Sequence, residues 1–239
     1  TGTVGLNSDG DNFSLSFPEG VERSNVTLSN LARVNVRAGD GGSIAVNAQN
    51  LEMIGESFIL AGIDTGLGDD GSIAGNIDIN VTGAILLNDG SFINNNVRSQ
   101  ARGQGGDVNI SANTLQLQDG AQVSTSTFGE GNSGNLTITA QDIQLIGGEN
   151  RLTPLFAGAQ PGSTGDGGNL EINTNTLQLE NGAQVSVSTF GSGRGGNLTI
   201  NAQDIQLLGG ENGVTGLGAQ AAGSTGDGGN LEINTNTLQ

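Results

Sequence analysis

The sequence predicts an all-β fold: a parallel β-helix, or solenoid, of about eight coils, each 28–34 residues long. Three observations predict it. The chain repeats itself at a nearly fixed offset. Each repeat alternates apolar and polar residues with a period of two. Glycine-rich corners separate the alternating runs. A unit this small cannot bury its own apolar face, but stacked units bury a continuous column.

The repeat is explicit. Residues 135–148 read NLTITAQDIQLIGG and residues 197–210 read NLTINAQDIQLLGG, 62 positions later. Residues 107–128 (DVNISANTLQLQDGAQVSTSTF) recur as 169–190 (NLEINTNTLQLENGAQVSVSTF), also 62 apart. Residues 169–179 begin again at 230, an offset of 61. The super-repeat of about 62 residues holds two similar, non-identical units. One landmark opens each: glycine, a short polar residue, then apolar–polar–apolar. Its first apolar residue falls at Ile44, Ile77, Val108, Leu136, Leu170, Leu198 and Leu231, with spacings of 33, 31, 28, 34, 28 and 33. Residues 1–40 read as degenerate leading coil and residues 41–239 as the regular β-helix.

The first strand of a unit has Leu136 and Ile138 flanking Thr137, and the pattern returns at Leu170/Ile172, Leu198/Ile200 and Leu231/Ile233. These residues are expected to form two inward stacks along the axis. The second strand has Ile143 and Leu145 about Gln144, and Leu177 and Leu179 about Gln178; the third has Val185 and Val187 about Ser186. Strict alternation over four to six residues marks a strand with one buried face. No 3.6-residue period stands out, so no long helix is expected. Phe128 and Phe190 hold matching positions two coils apart and are expected to stack. Eight coils at roughly 4.8 Å each make a rod of about 40 Å.

Glycine pairs at 41–42, 105–106, 167–168, 195–196 and 228–229 precede the first strand. They are expected to supply corners with positive φ, which only glycine adopts cheaply. Asn135, Asn169, Asn197 and Asn230 follow the corner, and their amides suit a hydrogen-bonded ladder along the axis. The next outward position alternates Thr137, Glu171, Thr199, Glu232. Threonine between the glutamates doubles the distance between like charges that would otherwise repel about 4.8 Å apart. The longer units carry five or six extra residues within 149–167 and 211–228, expected as a bulge on one side of the rod in alternate coils. A tolerated surface loop explains them, and a ridge for a partner is the functional alternative.

Composition excludes much chemistry. The chain has 239 residues, 24 acidic against 7 basic, a net charge of −17, and neither cysteine nor histidine. Lysine, tryptophan and tyrosine are also missing. That removes Cys–His and Ser–His pairs, Schiff-base lysine and His/Cys metal centres. The acidity argues against nucleic acid and against an anionic membrane surface. No apolar run approaches the ~20 residues of a membrane span, so no membrane insertion is expected. No basic segment followed by an apolar one opens the sequence, so if the protein is exported its signal is expected outside these residues.

The remaining acidic clusters have a plain reading. Asp69 and Asp70, with Asp64 nearby, are the densest. Carboxylate pairs serve as acid and base in polysaccharide-active β-helices, but no base, arginine clamp or nucleophile repeats beside these. Asp-Gly is turn chemistry. Asp9, Asp11 and Asn12 are the calcium candidates. The EF-hand pattern fails there, because Pro18 stands where a glutamate is needed. The Asn-x-Ser/Thr triplets at Asn135 and Asn197 lie at strand starts and are read as ladder positions. Outward Thr and Ser pairs at 137/139 and 186/188 do not continue into the flat array that ice binding would need. No catalytic residue, cofactor site or metal site is expected.

The stretch GGSIAVNAQNLEM…GESFILAGI (41–63), the segment DGSFINNNV (89–97) and the GGNLTINAQDIQLLGG units resemble the repeat arrays of filamentous haemagglutinin-like exoproteins of two-partner secretion systems, in particular the very large cyanobacterial-type members. The resemblance covers roughly residues 40–239. It implies a right-handed coil and a segment of a longer array without the N-terminal secretion domain, stopping in mid-repeat at Leu238-Gln239. It also implies an extracellular or bacterial cell-surface location and a role as adhesin, fibre or toxin-carrying stalk. The expected function is structural: a stiff rod or fibre that attaches to a matrix or cell surface. Its expected partners are other copies stacked end to end, and a cell-surface glycan or protein. The enzymatic alternative is a polysaccharide-active β-helix using Asp64, Asp69 and Asp70.

Overall fold

A computed structural model describes residues 22–211, 213–223 and 225–239 in full, and 5–9 and 12–16 through their backbone. All regular structure in these residues is β. β1 (Gly5–Asp9) and β2 (Asn12–Ser16) pair antiparallel as a hairpin, not as a coil. β3 (Val26–Leu28) and β4 (Arg33–Asn35) form an incomplete first coil. Six complete three-strand turns follow. They are β5 (Ile44–Ala48), β6 (Leu51–Met53) and β7 (Phe58–Ile63); β8 (Ile77–Val81), β9 (Ala84–Leu87) and β10 (Phe92–Val97); and β11 (Val108–Ser111), β12 (Thr114–Gln118) and β13 (Gln122–Ser124). Then come β14 (Leu136–Thr139), β15 (Asp142–Ile146) and β16 (Thr153–Phe156); β17 (Leu170–Asn173), β18 (Thr176–Glu180) and β19 (Ala183–Ser186); and β20 (Leu198–Asn201), β21 (Asp204–Leu208) and β22 (Gly216–Gly218). β23 (Leu231–Asn234) and β24 (Thr237–Leu238) start another turn.

The coils stack into three parallel sheets. Each sheet takes the same strand from every coil: β5 through β23 in one, β3 through β24 in the second, β4 through β22 in the third. The fold is therefore a β-solenoid of about six turns. The sequence count of about eight is reached only by including the two incomplete coils.

Register puts like on like. Leu136 pairs Leu170, Leu170 pairs Leu198 and Leu198 pairs Leu231. Ile138, Ile172, Ile200 and Ile233 run alongside. Most inward residues form one cluster through the rod, with Ile63, Ala74, Val97 and Ala101 in a second, and Leu136, Leu170, Leu198, Ile138, Ile172 and Ile200 are all fully buried. Each such side chain contributes roughly 1.5–3 kcal/mol relative to exposure. In the final coil Leu231 is 43% exposed and Ile233 half-buried, since no further coil covers them in this structure.

Side-chain ladders bind the coils outside. Asn135 donates its backbone N–H to Asp107 Oδ1 (2.7 Å), Asn169 to Asn135 Oδ1 (3.0 Å), Asn197 to Asn169 Oδ1 (2.9 Å) and Asn230 to Asn197 Oδ1 (3.1 Å). The expected asparagine ladder is thus mainly side-chain oxygen to the next coil's main chain. A second ladder joins amide to amide through Asn173, Asn201 and Asn234, with links of 2.9 Å. A third links Gln116 to Gln144 at 2.8 Å.

The acidic ladders alternate. Thr137, Glu171, Thr199 and Glu232 are successive partners, as are Asp142, Thr176, Asp204 and Thr237. Thr199→Glu would place three carboxylates on consecutive rungs. It is expected to destabilise by up to about 1 kcal/mol for each new like-charge pair, with the loss shrinking in high salt. Thermal unfolding at low and high ionic strength checks this; a salt-independent loss would remove the electrostatic reason for the alternation.

The corner glycines act differently from the expectation. Of the five pairs preceding the first strand, only Gly41 has positive φ (44°). The second glycine of each later pair is required by close approach, as is Gly134. A Cβ on Gly106, Gly134, Gly168, Gly196 or Gly229 would fall under 3.0 Å from the carbonyl oxygen of the corresponding glycine one coil earlier. Left-handed backbone instead occupies the corner before the third strand, at Asp89-Gly90, Asp119-Gly120 and Asn181-Gly182. These are the residues that tolerate it.

The long coils expand mostly at that same corner. Ten positions separate Leu145 from Leu155, where six separate Leu117 from Val123, its partner in the neighbouring coil. The added residues include Arg151 and Leu152, and Gly148 bridges Arg151 antiparallel across the loop.

Candidate functional site

The stacks and ladders are architecture, and the structure places the other sequence candidates as follows. Phe128 and Phe190 do not stack on each other. They are 41% and 38% exposed, and the Phe190 ring packs on Phe156 with centroids 6.4 Å apart. Two coils are about 9.6 Å apart, too far for ring contact across the intervening coil.

Asp69 caps a turn, its Oδ1 accepting from Gly71 N at 2.8 Å. Asp64 accepts from Thr65 N at 2.9 Å and faces Arg98 at 3.7 Å. These contacts hold Asp64 and Asp69 in turn and ion-pair roles. Of the calcium candidates, Asp11 and the side chains of Asp9 and Asn12 lie outside the described residues. Among the described residues no group of three or more acidic side chains converges as metal ligands would.

Asp166 belongs to a corner ladder. It accepts from Arg194 N at 2.8 Å and Arg194 Nη2 at 2.9 Å, one coil away. The Arg194 backbone hydrogen bond, then its guanidinium, holds the Asp166 carboxyl below its ordinary range.

The feature that stands apart is a groove on the outer face of the third sheet, near its first strands. Outward side chains fall on common rungs. Arg33, Phe58, Phe92 and Gln122 are successive partners, and so are Asn35, Leu60, Asn94 and Ser124. On the following rung Ala38 bridges Ile63, which sets Arg37 beside Gly62, and Gly62 pairs Asn96. Glycine is required at that place, since its φ is 105° and a Cβ would fall within 3.0 Å of the Asn96 main chain. Val97 bridges Thr127, which sets Arg98 beside Phe128.

The result is a hollow of about 430 Å³ whose lining includes Arg33, Arg37, Arg98, Phe58, Phe92 and Phe128. The Phe58 and Phe92 rings lie 4.2 Å apart, and the Arg33 guanidinium sits 5.1 Å from the Phe58 centroid. Across this aromatic step a second hollow of about 400 Å³ is lined by Glu56, Phe58, Phe92, Arg151 and Leu152. Arg151 thus comes from the long-coil insertion.

The electrostatics run against the rest of the molecule. Among the described residues, three of the chain's seven basic side chains line the first hollow and no carboxylate does. Partial burial, then repulsion from Arg98 and Arg33, lowers the Arg37 pKa from its ordinary value, while Asp64 pulls the other way. Arg37 Nε donates to Asn35 Oδ1 at 3.1 Å, which leaves both terminal nitrogens of the guanidinium for other partners. Asn96 Oδ1 accepts from Ser126 N (2.7 Å) and Ser124 Oγ (3.1 Å), so its NH₂ group remains as a donor. Asn94 Oδ1 is buried without a partner, at a cost of about 1–3 kcal/mol while it stays unsatisfied.

Sequence reasoning missed this site. Its arginines lie at 33, 37 and 98, in the degenerate leading segment and in a corner, where no repeat draws attention. The available signal was their clustering in the first half of an acidic chain, with Phe58 and Phe92 one coil apart.

No protein-family model, no curated protein and no solved structure matches the chain.

Proposed function

We propose that the chain is a non-enzymatic structural segment of a secreted surface protein, a stiff rod whose outer face mediates attachment. The reading follows the resemblance to exoprotein arrays and places the protein outside the cell. The observation that carries it is the unbroken axial register. Inward leucine and isoleucine columns, main-chain ladders and outer asparagine ladders all repeat coil on coil, so axial load is shared by every coil. The outward surface is mostly polar and repeated, and the basic, aromatic groove suits holding a ligand rather than transforming it.

Stretching single chains tests the rod. Resistance should be lost one coil at a time, each step releasing about 100 Å of extended chain. A chain that extends smoothly at low force would refute it. Incubation with acidic and neutral polysaccharides is expected to leave them at full length; shortening that disappears in Asp69→Asn would establish the enzymatic alternative instead.

A further inference from the structure

We infer that the groove lined by Arg33, Arg37 and Arg98 and by the interleaved Phe58, Phe92 and Phe128 binds a carboxylated polysaccharide, a chain bearing uronic acids. The inference rests on the attachment reading above and names the ligand of that attachment.

Four observations converge on this class. First, a cluster of guanidinium groups in a molecule of net charge −17 calls for an anion. Arginine's planar fork matches a carboxylate through two parallel hydrogen bonds. Arg98 already faces Asp64 at 3.7 Å, whereas among the described residues neither Arg33 nor Arg37 forms an ion pair. Second, the Phe58–Phe92 pair forms an apolar step flanked by two hollows. The C–H face of a pyranose ring covers such a step, while its carboxylate reaches the arginines beside it. Third, the outward amides of Asn94 and Asn96 line the same hollow, and the Asn96 NH₂ group is left to donate to a hydroxyl group. A sugar supplies many hydroxyls; an acidic peptide supplies few. Fourth, the site is open along the sheet and its rungs repeat every ~4.8 Å, on the order of one sugar unit. A polymer therefore fits better than a compact anion. Arg151, in the second hollow, is placed to meet the next carboxylate along, although it also faces Asp89 at 3.7 Å.

The test measures binding of oligogalacturonate, a neutral glucan oligomer, a sulfated oligosaccharide and poly-glutamate to the full chain by calorimetry. Oligogalacturonate should bind, weaken as salt is raised, and exceed the neutral oligomer. The double variant Arg37→Gln/Arg98→Gln should bind it about tenfold or more weakly, as should Phe92→Ala. Arg194→Gln, remote from the groove, should bind as the unaltered chain does. Thermal unfolding confirms that each variant is folded, and the single variants Arg37→Gln and Arg98→Gln stand in if the double variant is not.

Equal binding of the neutral glucan, or an unchanged affinity in Arg37→Gln/Arg98→Gln, would overturn the assignment. Poly-glutamate binding as tightly would overturn the glycan, and the sulfated sugar binding more tightly would overturn the carboxylate. Beads coated with the chain separate this inference from the reading it rests on. Beads that hold to a pectate surface equally well with the double variant leave attachment standing and sink the groove. Beads that fail to hold while soluble oligogalacturonate binds sink attachment and leave the groove standing.

Discussion

Replacing Gly168 by alanine is expected to destabilise the rod by on the order of 3 kcal/mol or more, whereas the same change at Gly209 stays within about 0.5 kcal/mol. Both are glycines at corners, but their surroundings differ. A Cβ on Gly168 would meet the Gly134 carbonyl oxygen at under 3.0 Å, and a Cβ on Gly209 would meet nothing within 4 Å. The obstacle at Gly168 is main chain, which cannot rotate aside as a flexible side chain could. Relief requires the two coils to separate locally, which lengthens ladder hydrogen bonds on either side and opens the leucine column beneath. The same geometry recurs at Gly106, Gly134, Gly196 and Gly229, so the effect should recur there. Asparagine distinguishes the two reasons a corner can need glycine. Asparagine tolerates positive φ, so Gly168→Asn would be mild if backbone conformation were the requirement. Close approach predicts that it is at least as damaging as alanine. Denaturant unfolding of the three variants decides the matter, and a mild Gly168→Asn would refute the close-approach account.

Much of this architecture was legible because a solenoid converts sequence offset into spatial adjacency. Leu136, Leu170 and Leu198 could be placed on one axis from their spacing alone. Period two within each unit fixed which side chains face inward. The glycine columns were located correctly, but positive φ holds only at Gly41 and a neighbouring carbonyl is the cause in the later coils; a sequence shows where glycine recurs and not which of the two demands it. The asparagine ladder was likewise placed correctly, while its donor, the next coil's main-chain N–H, depends on side-chain geometry. The groove was not legible. Its residues come from β4, β7, β10 and the corners after β4, β10 and β13, brought together only once register is known to the residue. Arg37 and Arg98 are 61 positions apart, and neither belongs to the regular repeat. A site built from departures from a repeat is hidden by the regularity that reveals the fold. The insertion carrying Arg151 shows this too: read as a bulge, it also supplies one wall of the second hollow.

Leu170→Ala is expected to cost about 3–5 kcal/mol, and Leu231→Ala under about 1 kcal/mol, although the two leucines occupy the same place in their coils. Leu170 is fully buried, with Leu136 on one side and Leu198 on the other; Leu231 has Leu198 on one side and is 43% exposed. Truncating Leu170 therefore leaves a cavity enclosed from both directions, and the neighbouring backbones cannot close it without breaking ladder hydrogen bonds. In a stacked array each coil is stabilised chiefly by its neighbours, so the weakness should be local. Hydrogen exchange should show faster opening at β17 and the strands beside it, with β5 and β8 protected as before. Denaturant unfolding should broaden or split as the coils on either side of the cavity lose their coupling. Equal costs for the two substitutions would mean that Leu170 gains nothing from having coils on both sides. A uniform rise in exchange along the chain would mean that the coils do not act as nearest neighbours. Either result would refute the axial column from which the rod, the ladders and the placing of the groove all follow.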